Sequence, residues 1–338
     1  MRASRRGLTT ARVLLLPALL LPALLFPAPA PVAAQDDVSF TYLGTGGWLL
    51  RHGEASILTA PFFSNPGLVE VGVARLEVDT AAVDRYLPPV DDVPAILVGH
   101  AHYDHLMDVP YIARVHAPRA RVYGSRTMVN LLLGDPELEP GRLIPVEEQA
   151  GNQETPGEWF TTPDGRIRFM PLESEHAPHL LGIRLFHGDQ ETPRRQLPRR
   201  ATEWLDGPTL AWLIDILGDD GEVLLRVHYQ DSASRPPHGF PPPDGIPVDV
   251  MIVCTAGSGA AEGYPEAIVR TFSPRVVLLG HWEDFFRPMS APVRPVPGTD
   301  VGEFEARLQE ALPEGAVQRR PLPGETLQVQ LRPISPSP

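Results

Sequence analysis

The chain is expected to form an α/β fold in which sheets and helices are layered. Two observations lead there. Short buried runs such as 94–99, 249–255 and 275–280 alternate with stretches whose apolar residues recur at helical spacing. Two of those runs also end in the same step, glycine then histidine, at Val98-Gly99-His100 and Leu279-Gly280-His281. The apolar fraction of 43% is ordinary for a packed core. The length admits one large domain or two ordinary ones, and a single domain over 35–332 is the reading adopted.

Residues 1–34 read as a bacterial secretory signal peptide. Arg2, Arg5, Arg6 and Arg12 precede an apolar run from Val13 to Phe26, and Ala33-Ala34 supplies the small-residue exit. The run falls short of the ~20 residues that span a bilayer, and Pro17 and Pro22 interrupt it. A periplasmic or secreted protein with no stable membrane span after cleavage is expected.

Val38 to Leu43 alternates as a half-buried strand does. Gly44, Gly46 and Gly47 allow a tight path into two further strands, Trp48–Arg51 and Ser56–Thr59, which turn at His52-Gly53-Glu54. Pro61-Phe62-Phe63-Ser64 closes the hairpin, and 69–85 reads as a loop with a short helix that could overhang a site. Pro94 to Gly99 is a short buried strand delivering His100-Ala101-His102-Tyr103-Asp104-His105. Three imidazoles and one carboxylate within six positions are crowded groups that a shared divalent cation reconciles, since all of them donate to it. Leu106, Val109 and Ile112 then repeat at helical spacing.

Arg121–Gly124 is a strand, Thr127–Leu133 a helix ending at Gly134, and Arg142–Val146 another strand. Arg166 to Leu172 alternates strongly and leads to His176 and His179. Residues 185–207 form a polar insertion with Arg194-Arg195 and Arg199-Arg200. It is either a solvated loop or a lid whose arginines meet an anionic substrate. Thr209–Leu217 and Glu222–Tyr229 make a hairpin about Gly218-Asp219-Asp220-Gly221, and the second strand ends in Gln230-Asp231. Asp249–Thr255 is a buried strand holding Cys254, a core thiol. Tyr264–Phe272 is a helix, Arg275–Gly280 a buried strand ending in His281-Trp282-Glu283-Asp284-Phe285-Phe286, Glu303–Leu312 an amphipathic helix and Glu325–Leu331 a last strand. Residues 333–338 should be disordered. His52, His116, His187, His228 and His238 lie in no such strand-end pattern and read as surface or structural residues.

Composition excludes several chemistries. Every one of the 29 basic residues is Arg, so a P-loop lysine, a Schiff-base lysine and a Ser-x-x-Lys nucleophile are absent. One cysteine excludes an intrachain disulfide and a thiolate zinc cluster. The net charge is −13, and without the leader 25 Arg face 42 acidic residues, a net of −17 that disfavours nucleic acid as a partner. A small molecule is the expected substrate.

The hexad from His100 to His105 resembles the H-x-H-x-D-H signature of the metallo-β-lactamase superfamily, and the order of later strand-end groups extends the likeness over nearly all of the mature chain. His-Trp-Glu-Asp-Phe-Phe resembles the branch that holds the ascorbate-phosphate lactonases and N-acyl-phosphatidylethanolamine phospholipase D. The resemblance implies a four-layer αβ/βα sandwich with metals at one edge. It gives His100, His102 and His176 to one metal and Asp104, His105 and His281 to another, with Asp231 as the bridge. His176 is chosen as nearer to its strand, and His179 could exchange with it or face the substrate. Gln230 stands where the family has glycine, a departure beside the assigned bridge.

Nitrogen and oxygen ligation dominated by imidazole favours two Zn²⁺ ions, with Mn²⁺ or Fe as alternatives. Water at such a pair ionises near pH ~7, and Asp104 is the residue placed to orient it and move its proton. The activity implied is hydrolysis of a small ester, lactone or phosphodiester. The alternatives are a β-lactamase proper, against which the His-Trp-Glu-Asp-Phe-Phe ending and the insertion count, and a binding protein without turnover.

Overall fold

The computed structural model describes residues 37–179 and 183–332, so the expected leader 1–34 and tail 333–338 lie outside the described residues. Among the described residues, fourteen strands form two mixed sheets of seven. The first contains β1 (Asp37–Gly44), β2 (Gly47–His52), β3 (Ala55–Thr59), β4 (Ala95–Leu97), β5 (Arg121–Gly124) and β6 (Leu143–Pro145), with β14 (Thr326–Gln330) added antiparallel to β1. The second contains β7 (Phe160–Thr161), β8 (Ile167–Glu173), β9 (Leu210–Leu217), β10 (Val223–Gln230), β11 (Val250–Cys254), β12 (Val276–Gly280) and β13 (Val317–Arg319) in spatial order. Strand β13 carries no sequence signal strong enough to be read. It is three residues long, and two of them are exposed.

Period-two alternation sorts the first sheet's side chains between two cores. Phe40, Tyr42, Trp48, Leu50, Ile57 and Leu97 face the second sheet. Leu49, Leu58, Ile96, Val98 and Val122 face the opposite way, onto helices α2 (Thr80–Tyr86), α3 (Tyr103–Leu106), α4 (Val109–Tyr111) and α5 (Arg126–Leu132). Helices α6 (Glu266–Phe272) and α7 (Val301–Ala311) cover the second sheet through Ile268, Val269, Phe304 and Leu308. The result is the expected order of helix, sheet, sheet, helix. Polar caps start three of the helices: the side chains of Asp79, Ser125 and Asp300 accept from the backbone N–H of Ala82, Met128 and Glu303. Helix α1 (Leu68–Val73) buries no residue, and no helix among the described residues is long and apolar enough to cross a membrane.

The insertion is less solvated than its composition implies. Its end is anchored by Ala201, Trp204 and Asp206, all buried. Arg194 pairs with Glu203 and Arg199 with Glu77, so these guanidinium groups are committed to the protein's own carboxylates.

On the outer face of the second sheet, Arg226 lies opposite Asp215 and His228 opposite Leu213, and all four are buried. Arg226 donates to both oxygens of Asp215 (2.7 and 2.9 Å) and to Asp244. Asp215 also accepts from Arg168, so it satisfies two guanidinium groups from full burial. Asp215→Ala is expected to cost about 3 kcal/mol, because it leaves the buried Arg226 with Asp244 alone and its Nε–H without an acceptor. Denaturant melts measure the loss, and an unchanged midpoint would contradict it. Burial pushes His228 down to about 4, with its Nε2 on the Gly239 carbonyl. A folded pKa held below the ordinary 6.5 stabilises the fold fully above that pH and loses the contribution as pH falls toward 4. His228→Gln should flatten that part of the stability–pH curve relative to the parent protein, and parallel curves would contradict it.

Candidate metal centre

Strand ends deliver the candidate ligands to one edge. Strands β8 and β10 are both antiparallel to β9, and β11 and β12 run parallel to β10, so these four carboxyl ends lie together. His176 follows β8 by three residues, Asp231 follows β10 directly and His281 follows β12 directly. From the first sheet, β4 ends at Leu97. His100 follows, His102 caps α3, and Asp104 and His105 sit in its only turn. Strand β4 is held between β3 and β5 in parallel register, which fixes the loop at its tip.

Three overlapping groups of ligand atoms form within 4.8 Å: His100, His102 and His176; His100, His105 and Asp231; Asp104, His105 and His281. All seven sequence-derived residues are therefore brought together. The rings of His100, His102 and His176 lie 4.6–4.8 Å apart by centroid. His179 stacks on His176 at 4.6 Å and lies 5.3 Å from His102, beside the first group and outside all three.

Asp231 sits between the groups. Its Oδ2 accepts from Nδ1 of His100 at 2.6 Å and its Oδ1 from Nδ1 of His105 at 3.0 Å, while the Tyr229 hydroxyl donates to the same Oδ1. This is the contact by which a carboxylate orients a ligating imidazole and fixes its tautomer, and it turns Nε2 of both rings toward the centre. The sequence reading made Asp231 a bridge between two metals. In the structure it touches one histidine of each group through their Nδ1 atoms.

The remaining atoms suit cations. Nε2 of His100 and of His102 are buried with no hydrogen-bond partner. Nδ1 of His176 is engaged by the Ala177 carbonyl at 2.6 Å, leaving Nε2. Nε2 of His105 faces Nε2 of His281 at 3.2 Å, and Oδ2 of Asp104 lies 3.6 and 3.4 Å from the two. With Nδ1–H of His105 committed to Asp231, its Nε2 carries a lone pair. Nε2 of His281 can donate to that lone pair or to Asp104, and a divalent ion held by the three residues would take the place of the shared proton.

Electrostatics agree. Burial pushes the imidazoles of His100, His102 and His176 below their ordinary range, which keeps them neutral, as ligands must be. Burial works against the charged form of Asp231, but His105 and His100 overcome it and hold the carboxyl well below the usual range. The same competition depresses Asp104, through His105 and His281. Burial raises the Cys254 thiol, in keeping with a core role.

Several supporting residues gave no signal of their own. A Cβ on Gly99 would lie 2.2 Å from Cβ of Asp231, and one on Gly46 would lie 2.6 Å from Oδ1 of Asp231 and 2.8 Å from Nδ1 of His105. The two glycines let Asp231 seat against both histidine-bearing segments. Buried Asp108 accepts from the backbone N–H of Phe63 and Ser64 at 2.7 and 2.9 Å, tying the helical segment after the hexad to the chain after β3. Gly99→Ala is expected to displace Asp231 and weaken metal binding about tenfold or more. Titration of the metal-free, folded variant reads this, and parental affinity would show the close approach to be dispensable.

No family model matches the chain, and no curated protein matches it. Solved structures do. Igni18, a metallo hydrolase from the hyperthermophilic archaeon Ignicoccus hospitalis, matches with a TM-score of 0.51 at 16% identity over 87% of this chain and 99% of its own. A variant of CmlA, the diiron β-hydroxylase of Streptomyces venezuelae, matches at 0.50 and 17% identity over 89% of this chain and 55% of that one. The metallo-β-lactamase fold protein YhfI from Bacillus subtilis matches at 0.49 and 14% identity, over 87% and 100%. At such identities the likeness is one of fold, and that fold is the two-sheet sandwich with flanking helices described above.

Proposed function

We propose that the protein is an exported hydrolase that uses two divalent cations, Zn²⁺ in the first instance, to cleave a small ester, lactone or phosphodiester. The observation that carries this reading is the convergence of unpartnered imidazole nitrogens and the Asp104 carboxylate on one buried edge. His100, His102 and His176 hold one ion, and Asp104, His105 and His281 the other. Bound there, the ions supply an ionised water near neutral pH and an electrophile for the substrate's oxygen. Asp104, with Oδ2 at 3.6 and 3.4 Å from Nε2 of His105 and of His281, would orient the attacking water and pass its proton toward the leaving group. Asp231 keeps the His100 and His105 rings turned inward, and Tyr229 and Gly46 keep Asp231 in place.

Substrate class within this reading follows from the surroundings. Phe186 lies 6.1 Å from His102 and Phe285 4.8 Å from His281 by ring centroid, so aromatic rings flank both groups. Among the described residues no arginine pairs with Asp104 or Asp231, and of the four insertion arginines Arg194 and Arg199 are engaged by Glu203 and Glu77. Both facts favour a neutral carbonyl ester or lactone with an apolar substituent over a phosphodiester. Export rests on the basic, apolar and small-residue pattern of 1–34, and the His-Trp-Glu-Asp-Phe-Phe segment supports placement near the lactonase and phospholipase D branch.

A panel of p-nitrophenyl ester, lactone, p-nitrophenyl phosphodiester and nitrocefin, each with metal-free and Zn²⁺- or Mn²⁺-loaded protein, tests the proposal. Metal-dependent turnover of an ester or lactone is expected. Turnover of nitrocefin alone would make the protein a β-lactamase, and silence throughout with two metals bound would favour a binding protein. His102→Ala should abolish turnover and remove at least one metal by elemental analysis, and unchanged stoichiometry would contradict its assignment. Asp104→Asn should lower kcat about a hundredfold or more, and a parental kcat would remove it from the proton path.

A further inference from the structure

Glu283 is a buried carboxylate that the proposed chemistry does not use. Its Oε1 accepts from the Thr45 backbone N–H at 2.5 Å, and its Oε2 accepts from the Tyr42 hydroxyl. The Tyr42 oxygen in turn accepts from the His281 backbone N–H at 2.9 Å, and that N–H also reaches the Thr45 carbonyl at 2.9 Å. Among the described residues no cationic side chain pairs with Glu283. All its neighbours in this network are main chain or hydroxyl.

The groups it joins are the strained ones. Thr45 and His281 are non-glycine residues at φ +52°, and Gly44 stands at +97°. A side chain in the left-handed region persists only where surrounding contacts hold it. The turn containing Thr45 and Gly46 backs onto Asp231 and His105, and His281 closes the group with Asp104 and His105. On the far side the segment is strapped by Asp284 N–H to the Arg294 carbonyl and Val296 N–H to the Trp282 carbonyl.

We infer that Glu283 is a positioning residue for the second metal group: it clamps the Gly44–Gly46 turn to the main chain of His281 and thereby sets the separation of His281 from His105 and Asp104. The inference rests on the two-metal reading for its consequence in binding, and on the hydrogen-bond network alone for its consequence in the metal-free protein.

Glu283→Gln removes the charge and leaves one acceptor, so the Thr45 N–H and the Tyr42 hydroxyl can no longer both donate to it, and Tyr42→Phe removes both the bond to Glu283 and the acceptor for the His281 N–H. Amide hydrogen exchange on the metal-free proteins, with stepwise Zn²⁺ titration by calorimetry, tests the clamp. In both variants the Thr45 and His281 amides should exchange at least tenfold faster while the β4 and β10 amides keep their protection. The second Zn²⁺ should bind about tenfold more weakly or worse, with the first within twofold. Unchanged exchange at Thr45 and His281, loosening throughout the molecule, or equal weakening of both ions would overturn the inference. Should the parent protein bind fewer than two ions, the two-metal reading fails, and the clamp stands or falls on the exchange pattern.

Discussion

The seat of Asp231 is the constraint on which the site depends. The residue leaves the end of β10 in one sheet and meets the His100 and His105 imidazoles delivered from β4 in the other. It reaches them only because Gly99 and Gly46 leave no Cβ in its path. Once there it fixes Nδ1 on both rings, so their Nε2 atoms have one direction left to face. A buried carboxylate with both oxygens hydrogen-bonded stays ionised, and its charge offsets part of any cation charge that the edge gathers.

Around that contact the fold separates two kinds of buried polarity. On the outer face of the second sheet Asp215 and Arg226 satisfy each other as paired charges, while His228 meets the Gly239 carbonyl through Nε2 and leaves a single buried atom, Nδ1, without a partner. At the metal edge, Nε2 of His100 and of His102 are buried without a partner and belong to residues whose ligand atoms gather within 4.8 Å. It is this gathering of several ligand atoms, which the isolated Nδ1 of His228 lacks, that points to a ligand. The same sheet thus carries a structural and a functional polar cluster on and beyond its strands, and only the functional one lies at the carboxyl edge.

Much of this was legible in the residues. The hexad, the glycine–histidine step at Gly280-His281 and the carboxylate after Tyr229-Gln230 each follow a short buried run, and strand ends are where rigid backbone presents side chains. The alternation of Val38 to Leu43 marks a strand with one buried face, as the structure has it, whereas Arg166 to Leu172 marks a strand that turns out buried on both faces from Phe169 to Leu172. What was not legible depends on contacts between distant segments. Nothing local in Glu283, Tyr42 or Tyr229 says that they converge on turns over two hundred residues or one full sheet away. The insertion reads as polar because its four arginines come in two adjacent pairs and its apolar residues follow no period, yet Trp204 and Ala201 decide where it packs. The orientation of Asp231 onto Nδ1 atoms, which makes it a guide for two rings as well as a candidate bridge, is likewise a property of three dimensions.

Anomalous scattering from crystals of the zinc-loaded protein tests the central claim most directly. Two peaks are expected, one enclosed by His100, His102 and His176 and the other by Asp104, His105 and His281, with Asp231 between them. A protein that crystallises fully folded from excess Zn²⁺ with no peak at this edge would contradict it.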